Sequence, residues 1–313
     1  MRTVFLGTPA FAVPTLERLA ADGHEVAAVF TQPDRPKGRD QTPAPPAAKE
    51  AAMRMGIPVF QPERIRRPEV VEQLAALKAE VMVVVGYGQI IPQTIIDLPP
   101  HGIINVHASL LPRYRGAAPI QWAIASGETA TGVTTMRIDA GLDTGDILLM
   151  RETEIGAEET APELAARLAV MGADLLAETL RGLEAGTLQP RPQDHSLATY
   201  APILKREDGL IDWRRPAREI FNRCRGFLPW PGTYTHFRGQ LLHIWKSRPA
   251  QEPAPGEPGA LHPARRRLLV ACGGESALEL LELQIEGRKR MSAADFLNGH
   301  RVAENETLGE HSK

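Results

Sequence analysis

Apolar runs and polar breaks alternate through the first 185 residues in a regular order. Arg2 to Leu6 is a short apolar run closed by Gly7, and Val13 to Asp22 follows with helical spacing, Pro14 near its start and Gly23 at its end. Glu25 to Thr31 is a second strand-like run. A helix is predicted over Val70 to Ala79, a fully buried strand over Val81 to Val85 and another over Ile103 to Val106. Asp146 to Glu154 and a long helical stretch from about Thr160 to Glu184 complete the series. Strands alternating with helices predict an α/β fold, here a doubly wound, Rossmann-like domain over residues 1–187.

The pattern then changes. From Leu188 to about Asp208 the text is irregular, with three prolines among polar residues, and reads as a linker over 188–207. Beyond it a helix over Arg218 to Arg225 leads into short strands: Thr233 to Phe237, Gln240 to Trp245, Arg267 to Cys272 and Ala277 to Gln284. Short strands separated by Gly/Pro turns suggest a small β-barrel over 208–313. Pro249 to Pro258 is a turn-rich loop within it.

Chemistry concentrates in two places. In INVHASLLPRYRG, Ile104 to Gly116, Asn105 and His107 stand two apart at the end of the predicted strand. Residues i and i+2 of a strand share a face, so the two side chains converge on one reacting group. The apolar lead-in buries the strand, and Pro112 and Gly116 mark its exit into a loop. The pair therefore sits at a carboxyl end, the edge where open α/β sheets bind ligands. The Gly-bounded loop DAGLDTGD, Asp139 to Asp146, follows. Asp139, Asp143 and Asp146 are all candidates to face the pair, and each also suits a plain turn.

These segments resemble the N10-formyltetrahydrofolate-dependent formyltransferases, which carry Asn-x-His, then SLLP, then an Asp in a glycine-bounded loop. The matching residues are Asn105, His107, Ser109-Leu110-Leu111-Pro112 and Asp143. The likeness extends through GTPAFAVPTLERL (7 to 19), TQPDRPKGR (31 to 39), GYGQIIP (86 to 92), LPWPGTYT (228 to 235) and the stretch from Leu278 to Arg301. It is greatest to the branch of the family that acts on methionyl initiator tRNA, and it covers nearly the whole chain.

The resemblance implies an oligonucleotide-binding-like barrel for the second domain, catalytic roles for Asn105, His107 and Asp143, and 10-formyltetrahydrofolate as co-substrate. Ser109, Leu110, Leu111 and Pro112, with Gly88 and Ile90 of the 86–92 run, would hold the folate. Initiator methionyl-tRNA is the implied acceptor, met by Arg35, Lys37 and Arg39 of the loop after the second strand and by Lys205 and Arg206. In that branch this loop is usually richer in basic residues; here Asp40 interrupts it and the loop is slightly shortened.

The residues support such a reaction on their own terms. Moving a formyl group to an amine creates a tetrahedral oxyanion, and losing one donor to it costs about 10²–10³ in rate. Protonated His107 and the Asn105 amide are candidate donors, while the Asp143 carboxylate could relay the proton that the amine releases. The attacking amine is itself the nucleophile, so Ser109 reads as a positioning residue.

Composition narrows the classes. Two cysteines, Cys224 and Cys272, give no disulfide framework, and no clustered Cys/His spacing suggests a metal, so a cytoplasmic protein without a metal is expected. The first residues are broken by Gly7, Pro9, Pro14 and Glu17 before an export-type apolar stretch forms, and no membrane span or obligate protein partner is evident. Gly7-Thr8-Pro9 follows the first strand, but Pro9 and Phe11 break a dinucleotide fingerprint. The net charge of −2 divides into −6 over residues 1–204 and +4 over 205–313. A basic excess of that size suits a phosphate footprint and an ordinary solvated face equally; the resemblance favours RNA. Two other readings stay open: formylation of a sugar-nucleotide amine, and a noncatalytic folate- or RNA-binding protein.

Overall fold

The computed structural model describes residues 1–37, 42–304 and 306–309. The chain divides into two compact units. The first comprises Met1–Pro119, Ala130–Glu154 and Ala165–Pro202, and the second Ile120–Thr129, Ile155–Leu164 and Ile203–Lys313.

The elements of the first unit are β1 (Arg2–Gly7), α1 (Val13–Ala21), β2 (Glu25–Phe30), β3 (Arg35–Lys37), β4 (Thr42–Ala44), α2 (Ala47–Arg54), β5 (Val59–Phe60), α3 (Pro68–Ala76), β6 (Val81–Val85), α4 (Gln93–Ile96), β7 (Ile103–His107) and β8 (Arg115–Gly116). In chain order there follow α5 (Pro119–Ala125), which belongs to the second unit from Ile120 on, then β9 (Ala130–Arg137), β10 (Ile147–Glu154), α6 (Ala161–Glu184), which belongs to the first unit from Ala165 on, and β11 (Tyr200–Ala201). Seven strands form one sheet in the order β10-β9-β7-β6-β1-β2-β5. The five from β5 to β7 are parallel, which buries both faces and explains runs such as VMVVV. β9 turns antiparallel beside β7, and β10 beside β9.

The two faces have different covers. Val4, Leu6, Phe30, Met82, Val84 and Ile103 pack with Val70 and Leu74 of α3 in one core. On the other face α6 approaches so closely that a Cβ on Gly172 would stand 2.8 Å from Val106 Cγ1. Ile103 therefore commits the odd positions of β7 to the α3 side, and Asn105 and His107 continue that row where the helix cover ends.

Sequence reading gave 188–207 as a linker, but residues 190–202 run as a strap on the first unit. Arg191 and Ile147 exchange both backbone hydrogen bonds at 2.9 Å, and β11 pairs parallel with β8. A segment poor in apolar residues is held here through its backbone, which composition does not register.

The second unit carries α7 (Ala217–Gly226), β12 (Thr233–Phe237), β13 (Gln240–Pro249), β14 (Leu261–Ala264), β15 (Arg267–Cys272), β16 (Ser276–Ile285), β17 (Met291–Ser292) and α8 (Ala293–His300). The antiparallel order is β12-β13-β16-β15-β14, with β17 on β16. Register shifts between Ile244 and Ser247 bend β13. The bent sheet turns Phe237, Ile244, Leu261, Val270 and Leu280 into one core with Phe221 of α7 and Phe296 of α8, giving the small barrel-like domain expected. Among the described residues, no helix is long and apolar enough to cross a membrane.

Candidate functional site

Asn105, His107 and Asp143 meet. Asn105 Nδ2 lies 3.4 Å from Asp143 Oδ1, and His107 Nδ1 lies 3.7 Å from Asp143 Oδ2. All three side chains are largely buried, at the carboxyl end of β7. Among the three aspartates left open by spacing, geometry selects Asp143. The Asp139 carboxylate accepts instead from Gly141 N at 3.0 Å and from Thr144 Oγ1 at 2.7 Å, as a turn former does.

The other nitrogen of His107 is already engaged. Nε2 stands 2.9 Å from the Tyr114 carbonyl oxygen, which can only accept, so that nitrogen carries the proton and Nδ1 is the one turned toward the carboxylate. Tyr114 offers this carbonyl from a left-handed backbone, φ 58°, and its own N–H donates to Thr199 Oγ1 at 2.9 Å. A non-glycine residue held at such an angle costs on the order of 1 kcal/mol, which the two hydrogen bonds offset.

Asp143 also occupies the left-handed region, φ 51°, and its Oδ2 accepts the Gly116 N–H at 2.8 Å. Gly116 has φ 116°, and a Cβ there would lie 2.7 Å from Ala201 O, so only glycine lets β8 bring that amide to the carboxylate. A buried side chain from the strap holds the loop from the other side. Gln193 Nε2 donates to Asp143 O at 2.9 Å and to Gly145 O at 2.7 Å. Its Oε1 accepts from Arg115 Nη2 at 2.6 Å, and the same Arg115 nitrogen lies 3.1 Å from His195 Nδ1. Sequence reasoning missed Gln193, Arg115 and Thr199. Gln193 and Thr199 sit in the irregular 188–207 stretch, where no periodicity marks them.

The expected folate residues fall into two groups. Ser109 is fully buried; its Oγ donates to Arg113 O at 2.6 Å and its carbonyl accepts from Thr134 Oγ1 at 2.7 Å. Leu111 packs with Met136 and Ile147, and Pro112 follows it through a cis peptide bond. Gly88 and Ile90 lie on the loop after β6, at the same sheet edge; Gly88 has φ 82° and Ile90 is 90% exposed. Tyr87 ties that edge together, its carbonyl accepting from Thr8 Oγ1 and Gln32 Nε2, both at 3.0 Å. Burial pushes the Tyr87 phenol well above its ordinary range.

Of the cationic residues expected at RNA, Arg35 is exposed on the β3–β4 hairpin. Arg39 and the Lys37 side chain lie outside the described residues. Lys205 and Arg206 lie near the start of the second unit's last segment, Ile203–Lys313, with the Arg206 guanidinium 6.0 Å from the centre of the Tyr234 ring.

Residues 1–180 match the family model described as formyl transferase, and residues 203–301 match that of the formyl transferase C-terminal domain. The chain belongs to the formyltransferase family. This formyltransferase is 67% identical over 99% of both chains to methionyl-tRNA formyltransferase of Solibacter usitatus. It is 56% identical, over the full length of both chains, to methionyl-tRNA formyltransferase of Koribacter versatilis. Among solved structures, an N-formyltransferase from Helicobacter canadensis, in complex with folinic acid and dTDP-3-aminofucose, superposes with a TM-score of 0.69 at 18% identity, covering 90% of this chain and 98% of that one. At that identity the likeness speaks for the fold of the formyltransferase alone.

Proposed function

We propose that this formyltransferase moves the formyl group of 10-formyltetrahydrofolate to the α-amine of methionine esterified to initiator tRNA, in the cytoplasm, at the start of translation. The observation that carries this reading is the full-length identity of 51–67% to relatives named methionyl-tRNA formyltransferase, across both units. A sugar nucleotide as acceptor draws only on distant structural likeness, and a noncatalytic role leaves the Asn105, His107 and Asp143 geometry without a use.

The amine nitrogen attacks the formyl carbon, the new C–N bond forms, and the carbonyl electron pair moves to oxygen. The Asn105 amide donates toward that oxyanion. His107 contributes through Nδ1, because Tyr114 holds Nε2. The proton leaving the amine passes through Nδ1 and the Asp143 carboxylate, 3.7 Å apart, and reaches the donor nitrogen as the old C–N bond breaks and takes its electron pair. Preorganised donors of this kind supply most of the stabilisation in acyl transfer. Ser109 to Pro112 with Gly88 and Ile90 hold the folate; Arg35, Lys37, Arg39, Lys205 and Arg206 meet RNA phosphates.

The test is direct. Purified chain, 10-formyltetrahydrofolate and charged initiator tRNA should yield formylmethionyl-tRNA, with an amino-sugar nucleotide run in parallel. Formylation of the sugar amine alone would replace the reading, and transfer to neither would remove it.

A further inference from the structure

We propose that Gln193 is a positioning residue for formyl transfer, the peg that sets the Asp143 carboxylate beside His107. The proposal rests on the role given to Asp143 above. Gln193 is largely buried, and its side-chain amide spends both N–H groups on the loop carbonyls of Asp143 and Gly145, at 2.9 and 2.7 Å. Its oxygen is fixed in turn by Arg115, also buried, through contacts of 3.1 and 2.6 Å. The orientation of the amide is thereby determined: with oxygen and nitrogen exchanged, two carbonyls would face an acceptor and the guanidinium would face a donor.

The peg acts on a strained stretch of backbone. Asp143 stands at φ 51°, in the left-handed region that costs a non-glycine residue energy. The hydrogen bond from Gly116 N reaches only the carboxylate, and Asp139 braces the loop at Gly141 N and Thr144 Oγ1, so at the carbonyls of Asp143 and Gly145 it is Gln193 that fixes the main chain. A shift near 1 Å in a reacting group is worth up to about 10² in rate.

Two variants separate positioning from packing. Gln193→Ala removes the peg and leaves space. Gln193→Glu keeps shape and the Arg115 contact but turns an acceptor toward both carbonyls. A positioning role predicts that kcat for tRNA formylation falls about 10- to 100-fold in the Ala variant and further in the Glu variant, with KM for donor and tRNA nearly unchanged. Packing alone predicts the opposite ranking, Glu near wild type, and that ranking would overturn the proposal.

Amide hydrogen exchange on the full chain gives a readout independent of activity. Gly141 to Asp146 should exchange faster in Gln193→Ala while Ile103 to His107 keeps its protection. Unchanged exchange in the loop, or equal acceleration in the loop and β7, would also overturn it. Asp143→Asn serves as the control: normal turnover in that variant refutes the role of Asp143 and the proposal with it. Loss of transfer by the wild-type chain would refute the assigned reaction only, because exchange would still decide whether Gln193 holds the loop.

Discussion

His107 Nε2 and the Tyr114 carbonyl oxygen stand 2.9 Å apart, and this contact assigns the two imidazole nitrogens different work. Nε2 is held by the backbone, and the proposed mechanism leaves Nδ1 for the chemistry. In His107→Gln the amide nitrogen can take the place of Nε2 and keep the Tyr114 contact, but nothing remains at Nδ1. We expect a melting temperature close to wild type and a single-turnover rate lower by about 10²-fold or more. A variant that turns over normally would show that Nδ1 takes no part.

Asp143→Asn keeps the size of the side chain and an oxygen for the Gly116 N–H while removing the charge. The rate of the chemical step should fall by at least about 10²-fold, with tRNA affinity nearly intact. Rapid-quench kinetics at saturating substrate, together with a binding titration, check both halves of this expectation. A loss confined to binding would reassign Asp143 to substrate capture.

Salt should separate the two ligands. If Lys205, Arg206 and the β3–β4 hairpin meet RNA phosphates, log affinity for tRNA should fall linearly with log salt, with a slope of about −0.7 to −0.9 per phosphate neutralised. Folate affinity should respond far less. Equal, shallow dependence for both ligands would point to a small acceptor.

The second unit has an acid-sensitive clasp. The Glu279 side chain is 4% exposed and bonded to Arg267 at 2.9 Å and Arg248 at 2.8 Å, which hold its carboxyl below the ordinary glutamate range. A lowered folded pKa means that the unfolded chain binds more protons, so this contribution is present above an ordinary Glu pKa of about 4.3 and is lost as pH falls through the folded value. With both arginines half exposed, solvent screening limits the loss in Glu279→Gln at pH 7 to about 1–2 kcal/mol. Denaturant melts should show the gap between wild type and variant closing below pH 4; a gap constant with pH would refute the ion-pair origin.

Arg225 is nearly buried and donates to Gly156 O and Glu159 O at 2.9 Å and to Asn222 Oδ1 at 3.0 Å. Arg225→Met should destabilise the chain by about 1–3 kcal/mol, since the buried Asn222 amide oxygen and two part-buried backbone acceptors lose their donor together. Thermal unfolding within about 1 kcal/mol of wild type would show that water replaces the guanidinium.

The candidate site was more legible than its supports. β7 announced Asn105 and His107 because an apolar strand ending in two polar residues of one face is a clear departure from pattern. β9 did not announce itself: Thr131, Thr134 and Thr135 are buried there, and their hydroxyls are absorbed by partners such as Ser109 O and Thr179, so a buried strand reads as polar. α2 escaped because its buried face is alanine, small enough to resemble a loop beside Pro43 to Pro46. Gln193 escaped for a deeper reason. Its partners are main-chain carbonyls about fifty residues away, and backbone acceptors have no letter in a sequence.

The strap from Pro190 to Pro202 also sets where this chain tolerates recombination. An exchange of the residues from Ile203 onward for another module has a natural seam after Pro202. A seam placed earlier, in the stretch that looks most like a spacer, would deliver a catalytic half whose Asp143 loop had been cut loose from Gln193. In a chimera the wording of the joint would then matter more than the choice of module.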